Sequence, residues 1–230
     1  MSETVDKKIV NGYTVTVTYD EFPLDPMRDG DTLGVMLADH RNYTLGSDKN
    51  LTADYEPIMN HFTGGFGDRK GIEVFARWMK IYGGATVVLP LTLYDHSGIT
   101  MYAGSGSGWD TTLVGVIFDT PERRQTCGVT DPDKIEQLLR EEVKIYASYL
   151  EGMVYAYTVT NDEDEVVWQD GSIFDSQEAL AAGTEEAERL LPITELDTLR
   201  KRETRLITAL KHVQSKIKQQ EEEEGESDDD

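Results

Sequence analysis

The period of the apolar positions changes several times along this chain, and each change predicts an element. Tyr13–Tyr19 alternates Tyr and Val with Thr, the period-2 pattern of a half-buried strand, and it is expected to open a sheet after a short leader. An acidic loop broken by Pro23, Pro26 and Gly30 follows, and Leu33–Leu37 then reads as a second strand or a short helix. A short helix is expected around Tyr55–Phe62, with Pro57 in its first turn and the Gly64–Asp68 cluster ending it. Ile72, Phe75, Ala76, Met79 and Tyr82 then share one helical face, stopped by Gly83-Gly84. The longest apolar run, Thr86–Tyr94, predicts a strand covered on both faces. Ile99–Tyr102 and Thr112–Phe118 continue it across two breaks, Asp95–Gly98 and Gly104–Gly108. Together the three predict a meander covered by the preceding helix, its glycine-rich loop serving as a flexible hairpin tip.

The clearest helical pattern comes next. Thr130 or Asp131 can cap it, Pro132 fits its first turn, and Ile135, Leu138, Leu139, Val143, Tyr146, Tyr149 and Leu150 trace an apolar face that ends before Gly152. Met153–Thr160 and Glu165–Gln169 predict a hairpin, and Asp175 with Glu178 has capping-box spacing for a helix to about Leu190. Strands joined largely by hairpins, without regular strand-helix-strand spacing, favour an α+β fold with a mainly antiparallel sheet and packed helices over a parallel α/β sheet. The predicted organisation is one α+β domain over 1–190, a basic amphipathic or coiled-coil helix over 191–218, and a disordered acidic tail over 219–230. Leu196, Leu199, Leu206, Leu210, Val213 and Ile217 keep a 3,4 spacing, interrupted at Glu203. That spacing fits either a homodimer through 196–217 or a helix docked on its own domain.

Charge sharpens this division. Residues 1–199 hold 35 acids and 15 bases, 200–218 hold 1 acid and 7 bases, and 219–230 hold 8 acids and no base, for a net −22. A surface so negative repels phosphate backbones, so direct nucleic-acid binding by the globular part is not expected, whereas a protein with a basic surface is the expected partner. Solubility or adaptation to a salty cytoplasm would account for the same charge. The single Cys127 rules out an internal disulfide and a multi-thiolate zinc site. No apolar run reaches the length of a membrane span and the first residues lack a signal-peptide core, so a cytoplasmic location without membrane association is expected.

Candidate chemistry gathers on the loops of the apolar centre. Asp-His occurs at Asp39-His40 and at Asp95-His96, and Asp110 follows the glycine loop; were His40, Asp95, His96 and Asp110 to converge, they could bind a divalent metal and activate water. No fixed-offset metal motif is present, no cofactor is implied, and Asp before His-Ser-Gly is a common way to start a turn. Asp95, His96 and Ser97 are the residue types of a hydrolase triad, yet three consecutive residues cannot converge as nucleophile, base and orienter. Gly104–Gly108 lacks the Gly-Lys-Ser/Thr of a phosphate cradle. Trp109 is a candidate recognition anchor or a plug over the sheet edge.

The segments HRNYTLG (40–46), LPLTLYDHSGITM (89–101), GWDTTLVGVIF (108–118) and YLEGMVYAY (149–157) resemble a family of small, functionally uncharacterised proteins encoded by bacteriophages and related mobile elements. The YDHSG and GWD pair is the most specific part, and Asp39 stands where relatives carry an aromatic. The resemblance implies a viral accessory protein in a bacterial cytoplasm and brings no catalytic residues with it. The reading is therefore a non-enzymatic accessory protein that binds a host protein, plausibly a nucleic-acid-handling one, with Asp95, His96, Trp109 and Asp110 as its contact residues. The alternatives are the metal-dependent hydrolase above and an assembly protein that oligomerises through the C-terminal helix.

Overall fold

The computed structural model describes residues 3–63, 68–106 and 108–227; the side chains of residue 198 and of 217 onward lie outside that description. In chain order the elements begin with β1 (Thr4–Val10), β2 (Tyr13–Tyr19), β3 (Gly34–Ala38), α1 (Lys49–Thr52), α2 (Glu56–Thr63) and α3 (Arg69–Ile81). The centre holds β4 (Val88–Asp95), β5 (Ile99–Ala103), β6 (Thr111–Asp119), α4 (Pro121–Cys127) and α5 (Pro132–Leu150). The chain ends with β7 (Tyr155–Thr160), β8 (Val166–Ile173), α6 (Ser176–Arg189) and α7 (Ile193–Ser227). Mixed helices and antiparallel pairing make this an α+β protein. Its contacts form two compact units, where the sequence reading drew one domain over 1–190. The first holds Thr18–Ala156 and Gly171–Ala179; the second holds Thr4–Val17, Tyr157–Asp170 and Leu180–Asp230.

The first unit is built on a sheet of order β3-β6-β4-β5, in which β6 is antiparallel to both β3 and β4, and β5 is antiparallel to β4. Alternation along the strands divides their side chains between two cores. Met36, Leu89, Leu91, Leu93 and Ile117 face α5, whose Ile135, Leu139, Val143 and Tyr146 are buried among them. Val35, Leu37, Val88, Val116 and Phe118 face the other way, against Met59 of α2 and Ile72, Phe75 and Met79 of α3. The expected two-sided burial of β4 and the cover supplied by α3 are both present. Asp68 caps α3 through its carboxylate, and Asp131 does the same for α5 ahead of Pro132.

The meander is corrected. A meander would place β5 between β4 and β6, but β4 lies in the middle, paired on both edges, and β5 is the outer strand. A strand apolar on both faces gains most from a central place, and this short, half-exposed β5 tolerates an edge better. The chain must therefore return past β4, and residues 104–110 make that crossing instead of a hairpin tip. Two further segments for which no element was expected are structured. The leader is β1, joined to β2 by Asn11 and Gly12, both at positive φ (53° and 89°), the backbone that an Asn-Gly hairpin turn requires. Residues 121–127 form α4, capped by Thr120 and stopped by Gly128 at φ 66°.

In the second unit the sheet order is β1-β2-β7-β8. Val15 and Tyr157 are buried, and a Cβ at Gly183 of α6 would stand 2.6 Å from Val15, so glycine permits the close approach of helix to sheet. Asn11 donates its side-chain amide to the carbonyls of Ala187 and Leu190, and its own carbonyl accepts from Ile193 N–H at 3.1 Å. The β1–β2 turn thus fixes the corner between α6 and α7. Beyond that corner Leu199, Leu206, Ile207, Leu210 and Val213 are exposed, so the described part of α7 does not dock its apolar stripe within the chain. The acidic tail expected at 219–230 lies wholly outside the described side chains. Among the described residues no helix is long and apolar enough to cross a membrane.

Candidate interaction site

The glycine-rich crossing presents most of the residues singled out from the sequence. Gly104 N–H donates to Pro90 O at 2.7 Å, and Thr92 Oγ1 donates to Gly104 O at 2.6 Å while accepting from Gly106 N–H at 3.0 Å. Thr92 is thereby buried beneath the loop with its hydroxyl satisfied. A Cβ on Gly106 would fall 1.8 Å from Tyr102 Oη, so a side chain there would have to push the tip of the Tyr102 ring aside. The chain then turns at Gly108, whose carbonyl accepts from Thr111 Oγ1 at 3.0 Å, and enters β6. Position 107 lies outside the described residues.

Trp109 stands at the top of this turn, completely exposed. Its indole covers no sheet edge, so the plug reading gives way. Asp110 accepts at its carbonyl from Asp95 N–H at 3.0 Å, which ties the turn to the end of β4. Thr92 and Tyr102 are directly opposed in the β4–β5 ladder, and Tyr94 lies two residues beyond Thr92, so alternation puts all three on the face that the loop crosses. Tyr94 and Tyr102 are both about two-fifths exposed (38% and 39%). Three aromatics, Tyr94, Tyr102 and Trp109, with the acids Asp95 and Asp110, therefore lie at one end of the first unit.

The two Asp-His pairs approach each other without forming a metal site. The His40 ring stacks on Tyr43 with centroids 4.9 Å apart, and Tyr43 Oη donates to both oxygens of Asp95 at 3.3 Å. Desolvation, and then the Asp95 carboxylate, raises the Tyr43 hydroxyl above its ordinary pKa, which keeps it a donor. His96 turns back on its own loop: its Nδ1 lies 2.9 Å from Ser97 Oγ, and its N–H donates to Gly98 O. The Ser97 φ of 61° belongs to that tight turn. Among the described residues no three His, Cys, Asp or Glu side chains are placed to hold a metal ion.

Several functional-looking groups escaped the sequence reading. A polar cavity of about 720 Å³ lies over the segment that follows β3, lined in part by Arg28, His40, Arg41, Tyr43, Lys49 and Glu56. Between the lining residues Leu45 and Ser47 in the chain, Gly46 N–H donates to Tyr146 Oη at 2.9 Å, and burial pushes this hydroxyl up to about 12. A second cavity of about 410 Å³ has apolar walls, including Ile145 and Phe174, and carboxylates from Asp25, Asp29, Asp31 and Glu142. Glu142 serves the fold there: its oxygens accept from Leu33 N–H at 2.6 Å and Gly34 N–H at 2.8 Å, and burial raises its pKa despite those bonds. The only sequence signal for either cavity is a cluster of loop-forming residues, since the walls come from segments far apart in the chain. No protein family, curated protein or solved structure matches this chain.

Proposed function

We propose that this chain is a non-enzymatic accessory protein of bacteriophage origin that captures a host protein with a basic surface. The observation that carries the reading is the complete exposure of Trp109 on a loop pinned at both ends, beside Tyr94, Tyr102, Asp95 and Asp110. A large aromatic held out from a fixed loop costs little conformational entropy to bury, which makes it suited to anchoring an interface. The acids around it and the net charge of −22 favour cationic partners and speed their approach. His96 contributes the shape of the turn, through its bond to Ser97, and no reaction.

The test uses wild-type and Trp109→Ala baits side by side in affinity capture from a bacterial host lysate. A basic protein should be retained by the wild type, released by raised salt, and held at least about tenfold more weakly by the variant, as loss of a hot spot worth about 2 kcal/mol or more requires. His96→Gln should retain it nearly as well as the wild type. Trp109→Ala should melt within about 0.5 kcal/mol of the wild type, because an exposed side chain supports no core. A partner held equally by both baits would overturn this reading.

A further inference from the structure

We propose that the apolar cavity lined by the loop 24–32 of the first unit receives a short segment of another protein that is both apolar and basic. A large apolar side chain fills the cavity, and a lysine or arginine beside it meets Asp29 and Asp31. The cavity, about 410 Å³, has the size of a ligand pocket, and Leu24, Met27, Ile145 and Phe174 form its apolar walls. Leu24 and Ile145 also reach solvent, and Phe22, two residues earlier on the same loop, is 87% exposed. Apolar surface on this loop is therefore not confined to the cavity. A small cation would leave that surface in water, whereas a peptide segment covers it together with the cavity.

The loop is fixed before any partner arrives. The Asp20 carboxylate accepts from Phe22 N–H at 2.9 Å and from Ser172 N–H at 2.7 Å, and Ser172 Oγ accepts from Leu24 N–H at 2.9 Å. These bonds hold Ser172 at a left-handed φ of 57°, a backbone uncommon outside glycine. A surface held this way loses little entropy on binding. Charge then selects the occupant. Asp25 accepts from Met27 N–H at 2.9 Å and pairs with Arg28 at 3.4 Å, while both oxygens of Glu142 accept backbone N–H groups, so these two carboxylates are committed to the fold. Asp29 accepts only from Asp25 N–H, at 2.9 Å, and Asp31 has no partner among the described residues. Both are exposed, and they are the carboxylates left to meet a cation beside the apolar walls. The proposal stands apart from the Trp109 site: its failure leaves that reading untouched, and the reverse holds as well.

Selection of a random peptide library on the full chain carrying Trp109→Ala tests it. The enriched peptides should join an aromatic or long aliphatic residue to lysine or arginine. The tightest of them, synthesised with a fluorescent label, should bind the full chain in an anisotropy titration, more weakly as salt is raised. Phe22→Ser and Ile145→Ser should each weaken that binding at least about tenfold, and so should Asp29→Asn with Asp31→Asn. Phe22 is exposed and an asparagine at 29 still accepts from Asp25 N–H, so these variants should keep the melting transition. Asp162→Asn with Asp164→Asn, the same charge change at two exposed acids of the second unit, should bind the peptide as the parent chain does. Equal weakening by the two double variants would reduce the effect to net charge and overturn the site. Enrichment of no peptide that is both apolar and basic would overturn it too, as would a peptide held equally by Phe22→Ser and the parent chain.

Discussion

Removing the carboxylate of Asp119 should destabilise the first unit more than any other single polar change. Asp119 ends β6 and is fully buried. Its oxygens accept from Thr86 N–H at 3.0 and 3.1 Å and from Val87 N–H at 2.6 Å, and they form an ion pair with Arg124 of α4. This carboxylate therefore closes the chain onto the start of β4 and holds α4 beside it. Asp119→Ala leaves two backbone donors without an acceptor, at about 1–3 kcal/mol each. The freed Arg124 is partly exposed and still donates to Gly84 O at 3.0 Å, so its charge relaxes toward water and adds less. The expected loss is about 3–5 kcal/mol, or roughly 6–20 °C in Tm for a chain of this size. Urea unfolding followed by circular dichroism measures it, with Arg124→Ala as the comparison at about 1–2 kcal/mol, because that variant keeps both backbone bonds. A loss below about 1 kcal/mol for Asp119→Ala would refute the account, and a larger loss for Arg124→Ala would move the weight from the backbone bonds to the ion pair.

Gly115→Ala should cost about 3 kcal/mol or more, since a Cβ would stand 1.9 Å from Leu37 O and could be relieved only by parting β3 from β6; Gly128→Ala, which meets open space and suffers only its φ of 66°, should cost about 1 kcal/mol. Urea midpoints of the two variants decide between steric exclusion and backbone strain. Tyr146 supplies a pH test: its hydroxyl is raised from 10.0 to about 12 by burial, so the folded state holds a proton that the unfolded chain has released. The stability from this group is complete below pH 10 and falls as pH rises through about 10 to 12, by roughly 2–3 kcal/mol. Absorbance titration should show the last tyrosine ionising only as the fold is lost, and ionisation of all 11 before unfolding would contradict the burial argument.

Periodicity and local chemistry were enough to place much of this chain. The alternation over Tyr13–Tyr19, the helical stripe through Ile72, Phe75 and Met79, and the Asp131-Pro132 cap each describe how one segment meets a core, and such signals act over a few residues. Trp109 was legible as a candidate anchor for the same reason, since glycines beside an aromatic mark a loop. The β1 strand was missed because its side chains are mostly exposed and carry no alternation; the Asn11-Gly12 dipeptide is the kind of turn signal that could have found it. Tertiary structure alone decided which strands are neighbours. The sequence order of β4, β5 and β6 suits a meander and a crossing equally, and burial of β4 on both faces selected the crossing. That choice put Asp95 beside Asp110, placed Tyr94 and Tyr102 on the face the glycine loop crosses, and left Trp109 at its outer turn. The link from His40 through Tyr43 to Asp95, the closure by Asp119 and the amide contacts of Glu142 likewise join residues distant in sequence. No local pattern encodes such pairs, because the partner of a buried polar group is fixed by where the fold brings the chain back.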